Sequence, residues 1–392
     1  MSLTPESRLQ HLDPILPQAD NPALVPAIQR SVKYTFANYE EFEAAIQKRR
    51  PGYFYSRVAN PTVRQLENTL AELQGREAAI ALGSGVAALS ACLISLLKPG
   101  DQVLLFWESY MPTRYLVRNL MAKFGVRARL FSILDIARWE EFIRDEKPRL
   151  VLFESPTNPI LRLTDLARVT AAARASGSLT ILDNTFGGIH QHGDYDIDLY
   201  VHSLTKYVGG HGDLTAGAII GSKALIESLH KDSFEIGAAL DPEAAFLALR
   251  GLKTYFLRFR RQSETALRLA QALEQNPRIA AVHYPGLDSH PQNQLARSQM
   301  KEFGGVLSVT LQGGANQVPA LIDRLRLFRL ATSLGSTESL VAPIPLCFAT
   351  DLSAEEKRRA GISDSAVRFS IGLEDSADLL ADLNQALAGL TH

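Results

Sequence analysis

Cysteine is scarce: the 392 residues hold two, Cys92 and Cys347. That excludes a disulfide framework and a four-cysteine metal site. Both lie in apolar runs, so the expectation is buried, inert thiols in a reduced compartment. An excess of charge is missing too, with 41 Lys plus Arg against 42 Asp plus Glu and a formal net charge of −1. Such a balance leaves no electrostatic footprint for nucleic acid and no basic patch for anionic lipid. No apolar run approaches the ~18 residues of a membrane span. The start, MSLTPESRLQHLDPILPQAD, lacks the basic opening and apolar stretch of a signal peptide. The expectation is a cytoplasmic protein with neither membrane nor nucleic-acid partner. Repeats and low-complexity tracts are also absent. The 46% hydrophobic content is ordinary and suffices for a large core; at about 150 residues per domain, the length suggests two or three.

Residues 1–60 show little periodicity and read as an extended arm with one short helix, packed on something, such as another subunit. From residue 62 the pattern changes. TVRQLENTLAELQG has helical spacing and stops at Gly75. Apolar runs then recur at 78–82, 102–106, 127–131, 149–153, 179–183, 199–203 and 216–220, with helical stretches between most of them. Apolar strands alternating with helices predict an α/β fold with a mainly parallel, seven-stranded sheet covered on both faces. Residues 242–275 read as one long helix or a broken pair. Beyond them, IAAVHY, GVLSVTL and AVRFSIG predict strands, and VPALIDRLR and SADLLADLNQALAGL predict helices. Ligands in such sheets bind at the carboxyl ends of strands.

Three strand ends carry chemistry. Gly83-Ser84-Gly85-Val86-Ala87-Ala88 follows the first run and opens a helix, so its backbone N–H groups can meet an anion. The same residues fit a dinucleotide fingerprint with Glu108 downstream, which makes a nicotinamide dehydrogenase a rival on this motif. A tight turn without ligand fits as well. Lys206 lies just after a strand and before a glycine-rich loop. An amine there could form an imine with a carbonyl once burial lowers its pKa; a solvated loop lysine is the plain alternative. Ser203 and Thr205 could turn both hydroxyls toward an anion from an extended chain. Asp183 ends another strand; a carboxylate there needs a cation, such as a protonated ring nitrogen, or else caps a loop. Together these features suit pyridoxal 5′-phosphate.

Further motifs are Tyr55-Ser56-Arg57, Tyr110, Glu154-Ser155-Pro156-Thr157-Asn158-Pro159, Asp183-Asn184-Thr185-Phe186, Ser203-Leu204-Thr205-Lys206-Tyr207, Ser333-Leu334-Gly335 and Arg368 in VRFSIGLED. With them the chain resembles the fold-type I pyridoxal-phosphate enzymes of cysteine and methionine metabolism, over nearly its whole length. The resemblance implies an aspartate-aminotransferase-like fold: an arm over 1–60, a cofactor-binding large domain over 61–250, and a linking helix with a smaller α+β domain over 251–392. It implies that Lys206 holds the cofactor and shuttles protons, Asp183 pairs with the pyridinium, and Tyr110 stacks on the ring and joins proton transfer. Gly85, Val86, Ser203 and Thr205 would hold the phosphate. Tyr55 and Arg57 would reach the phosphate of a neighbouring subunit in a homotetramer built from site-sharing dimers. Asn158 and Thr185 would orient the ring, and Arg368 with Ser333 would clamp the carboxylate of an amino-acid substrate.

Two departures bear on the reaction. Met111-Pro112-Thr113-Arg114 stands where many members have Gly-Gly-Thr, and Thr332 stands where γ-enzymes often carry a glutamate that meets a distal amine. Both lean toward C–S cleavage of cystathionine or a related substrate. Asn158-Pro159 resembles the γ branch, so cystathionine γ-synthase or an O-acyl-homoserine sulfhydrylase is the alternative. His190-Gln191-His192 with Asp194 and Asp196 could suggest a metal if the segment were a strand, but no third ligand is compelling and a polar loop is expected. His211 reads as a structural donor, and KRR (48–50) and RFRR (258–261) as solvated faces.

Overall fold

The computed structural model describes residues 4–12, 15, 23–47, 49–50 and 52–390. Seven strands form the larger sheet: β1 (Ala78–Leu82), β2 (Gln102–Phe106), β3 (Arg127–Phe131), β4 (Leu150–Glu154), β5 (Leu179–Asp183), β6 (Leu199–Ser203) and β7 (Gly217–Gly221). Their order is β1-β7-β6-β5-β4-β2-β3, and β7 alone runs against the others. The central strands are continuous apolar runs because both faces are covered. Along β4, Val151 and Phe153 join one core with Trp139 and Leu166, while Leu150 and Leu152 join the opposite core with Cys92 and Val117. Each large side chain so buried contributes ~1.5–3 kcal/mol. At the sheet edge β3 keeps Arg127 and Arg129 exposed, a charged border that discourages further pairing.

The smaller sheet holds β8 (Ile279–His283), β9 (Val306–Leu311), β10 (Arg329–Leu330), β11 (Leu340–Pro343) and β12 (Ala366–Ser370). Its order is β10-β11-β12-β9-β8, antiparallel except for the β10–β11 pair. Its core joins Val309 and Phe369 to Leu269, Leu273 and Leu383 from the helices Tyr255–Glu274 and Ser376–Ala388. Among the described residues no helix is long and apolar enough to cross a membrane.

The stretch 242–275 is a broken pair, Pro242–Leu252 and Tyr255–Glu274. Three expectations need correction. The arm holds two helices rather than one, Pro5–Gln10 and Tyr39–Ile46, each opened by a side-chain cap from Thr4 or Asn38. RFRR is a solvated face only in part, at the exposed Arg260 and Arg261. Arg258 and Phe259 are buried, and the Arg258 guanidinium donates to the carbonyls of Tyr207 and Gly251 where the two helices meet. The smaller sheet also gains β10 and β11, and its surround gains the short helices Asn293–Gln299, Ile344–Phe348 and Ala354–Ala360.

Candidate active site

A cavity of about 420 Å³ opens where β4, β5 and β6 end and where β12 of the smaller sheet faces them. It gathers Gly85, Val86, Tyr110, Asn158, Asp183, Thr185, Ser203, Thr205, Lys206, Ser333 and Arg368. Only Tyr55 and Arg57, of the residues predicted, stand outside. Arg57 donates to the Phe234 carbonyl (2.8 Å) and lies 3.5 Å from Glu235; both it and Tyr55 are about two-fifths exposed. A larger cleft, about 660 Å³, lies between the arm and the helix Pro242–Leu252 and contains none of these residues.

One wall is a helix N-terminus. Ser84 Oγ accepts from the Ala87 N–H (3.0 Å) and starts the helix Gly85–Leu96. The first N–H groups of a helix have no partner inside it and favour an anion. Glycine is needed at 85 because a Cβ there would sit 2.9 Å from Ser203 Cβ. The expected extended chain through Ser203 and Thr205 is not seen, since β6 ends at Ser203 and Thr205 lies in a turn. Thr205 Oγ1 accepts from the Ala216 N–H (3.1 Å), and Thr185 Oγ1 accepts from the Ser203 N–H (2.9 Å). Both hydroxyl-bearing residues nonetheless line the cavity.

The floor is acidic. β4 and β5 pair in register so that Glu154 lies beside Asp183. Glu154 accepts from the N–H groups of Tyr110 (2.5 Å) and Asn158 (3.2 Å), and Asp183 from that of Thr185 (3.1 Å). Burial, and then the Asp183 charge, hold Glu154 well above the usual carboxylate range; burial raises Asp183 against its Thr185 hydrogen bonds and Lys206. Two carboxyls side by side, Glu154 buried and Asp183 half-buried at the cavity, call for a cation. Burial and these two acids also raise Tyr110, so its phenol keeps its proton.

Lys206 Nζ donates to Ser333 Oγ (2.7 Å). Burial, then the Arg368 charge, bring its pKa down to about 8. The share of neutral amine at pH 7 is thereby raised, which readies Lys206 as a nucleophile or base. Arg368 is buried, its pKa lowered to about 10 by that burial, so it stays charged. It donates to Asn158 Oδ1 (2.9 Å) and the Ser333 carbonyl (2.6 Å), and stacks 4.0 Å from the Phe348 ring centre. Its Nε has no hydrogen-bond partner, and among the described residues no carboxylate pairs with it. That is a cation awaiting an anion. Ser333, which touches both cations, has φ 100°; such strain persists only where surroundings enforce it.

The residues fit pyridoxal phosphate. The helix N-terminus with Ser203 and Thr205 can hold the phosphate, the Asp183–Glu154 pair a pyridinium, Lys206 the aldehyde carbon, and Arg368 a substrate carboxylate. The dinucleotide rival loses its ribose acceptor: Glu108 is fully buried and spent on Ser132, Ile133 and Arg162. The His190–His192 segment is a turn, not a strand, and its two rings meet different partners. His192 bonds Asn184 Oδ1 (2.7 Å), with its pKa lowered to about 3 by burial, while His190 meets Tyr255 and Glu302. Sequence reasoning assigned no role to Glu154. It also took Cys347 for a buried core thiol, whereas Cys347 is partly exposed on the cavity wall beside Phe348. Cys92 is buried as expected.

Residues 15–388 match the family model for pyridoxal-phosphate-dependent enzymes of Cys/Met metabolism. The chain is 40% identical to the L-methionine γ-lyase of Pseudomonas putida over 95% of this chain and 94% of that protein. Cystathionine γ-synthase of Xanthomonas oryzae, solved with cystathionine, superposes with a TM-score of 0.93 at 35% identity, covering 99% of this chain and 98% of that one. An O-acetylhomoserine (thiol)-lyase structure from Campylobacter jejuni, which carries a pyridoxyl-lysine phosphate, gives 0.92 at 30% identity over 99% of this chain and 100% of that one. The chain belongs to the pyridoxal-phosphate-dependent enzymes of cysteine and methionine metabolism.

Proposed function

We propose that the enzyme cleaves a carbon–sulfur bond in cystathionine or a related sulfur amino acid. The carrying observation is the remainder of the cavity lining. Met111, Thr332, Cys347 and Phe348 belong to it, and none bears a charge at neutral pH. In particular Thr332 supplies no carboxylate for a distal ammonium, so cystathionine is recognised by other means or a smaller thioether or thiol amino acid is preferred. A γ-replacement reaction, as in a cystathionine γ-synthase or O-acyl-homoserine sulfhydrylase, is the second reading, favoured by the Asn158-Pro159 motif.

Pyridoxal phosphate, when bound, supplies the electron sink that lets a bond at the substrate's Cα break heterolytically. The chain does the rest. Arg368, steadied by Asn158 and Ser333, takes the substrate carboxylate through a charge-assisted fork. Asp183, with Glu154 behind it, keeps the ring nitrogen protonated. Lys206, poised by Ser333, removes the Cα proton and returns it further along the side chain. Tyr110, whose phenol stays protonated, gives a proton to the departing sulfur. Tyr55 and Arg57, which do not line the cavity of their own chain, serve the phosphate of a neighbouring subunit in a cytoplasmic homotetramer of site-sharing dimers.

The test is to supply cystathionine, methionine, homocysteine, and O-acetyl- or O-succinylhomoserine with cysteine, and to compare kcat/KM. Cleavage of a thioether or thiol should lead. A homoserine ester better by about tenfold, ~1.4 kcal/mol in transition-state binding, makes the enzyme a synthase.

A further inference from the structure

Arg114 lies one helical turn beyond Tyr110, is 0% exposed and does not line the cavity. A guanidinium has five N–H groups, and here every one is used. Nη1 donates to the carbonyls of Trp107 (3.2 Å) and Ser109; Nη2 to the Phe348 carbonyl (3.0 Å) and Asp351 Oδ1 (2.5 Å); Nε to Asp351 Oδ2 (2.8 Å). The first two acceptors belong to the turn that delivers Tyr110. The others belong to the segment after β11 that carries Phe348, whose ring covers the Arg368 guanidinium. The stretches that follow these two segments are joined by Arg118 with Glu356 (3.0 Å), and the Thr350 hydroxyl donates to Met111 Sδ (3.3 Å). The Tyr110 N–H itself is pinned from below by Glu154.

A buried cation with all donors engaged is a rigid joint, because loosening any acceptor strands polar groups away from water. We propose that Arg114 is a positioning residue that fixes the Tyr110 turn against the Phe348 segment. It thereby sets the separation between the proton donor and the carboxylate clamp. This rests on the roles of Tyr110 and Arg368 given above. Lysine cannot replace it, since a point charge cannot span two segments with a planar fork.

The experiment uses the cofactor-loaded enzyme and the variants Arg114→Lys, Asp351→Asn, Phe348→Leu and Arg368→Lys. Asp351 is 23% exposed, so its amide variant can meet water and should fold even if Arg114→Lys does not. Arg114→Lys and Asp351→Asn should each raise KM at least tenfold with a smaller change in kcat. They should weaken the calorimetric affinity for glycine, an amino acid without a leaving group, by a similar factor. Cofactor affinity of the apoenzyme should fall by clearly less than the glycine affinity. Phe348→Leu combined with Asp351→Asn should cost little more than the worse single change, as expected for residues acting through one joint. Kinetics within twofold of wild type in the folded variants, or a loss that falls equally on cofactor affinity, overturns the proposal. An unchanged KM in Arg368→Lys brings down the carboxylate reading and this inference with it. A damaged Arg368→Lys beside a silent Asp351→Asn brings down this inference alone.

Discussion

Lys206 works through the company it keeps. At an ordinary pKa, roughly 3 in 10,000 of its amines are neutral at pH 7; at about 8 roughly a tenth are. The neutral amine is the nucleophile, so uptake of pyridoxal phosphate by the apoenzyme should speed up as pH rises and level off above about 8. Arg368 contributes to that lowering. Arg368→Gln removes the neighbouring positive charge, so the midpoint should move to higher pH. A midpoint unmoved in stopped-flow measurements would detach the two groups. At this scale the place of Lys206 and Asp183 in the cavity was legible, since both follow or close apolar runs and ligands in such sheets gather at strand ends. Glu154 was not: its part depends on the register that sets it beside Asp183, and register across a parallel sheet is long-range information. Cys347 was misjudged because an apolar neighbourhood in sequence says nothing of which face meets a cavity.

The elements bring these side chains together by how they end. β4, β5 and β6 stop at the floor, while the helix Gly85–Leu96 starts at the wall. Gly85→Ala tests that arrangement. Its Cβ would press on the Ser203 backbone, and overpacking of this kind costs about 1–3 kcal/mol. If the helix N-terminus backs away, cofactor affinity should fall by roughly 5- to 150-fold. Fluorescence titration of the apoenzyme measures it; an unchanged Kd with the same fold would mean that the phosphate sits elsewhere. The strands of the larger sheet were readable because burial on both faces leaves uninterrupted apolar runs. The helix Ile344–Phe348 was not, since IPLCF is short and begins with proline spacing that also reads as a loop. Nor was the turn at Thr205: pattern alone extends β6 past Ser203, and the Ala216 backbone that closes the turn lies in a later segment.

At the scale of the whole molecule, the site is a junction. The larger sheet supplies Asp183 and Glu154, the turn after β6 supplies Lys206, and the smaller sheet supplies Arg368. Tyr55 and Arg57 lie outside it, which accords with an arm that serves a second subunit. Mixing an Arg57→Ala protein with a Lys206→Ala protein should then restore part of the activity in hybrids, each bearing one intact site; no recovery after verified subunit exchange would count against sharing. The mainly parallel sheet with its second domain was legible from alternating runs, whereas the contact between the two sheets was not, because no local pattern records which strand of one faces which end of the other. The most direct measurement is where the cofactor attaches. Borohydride reduction of the loaded enzyme followed by peptide mapping should put the pyridoxyl label on the peptide containing Lys206, at the meeting point of both sheets. A label on any other lysine would contradict the site as a whole.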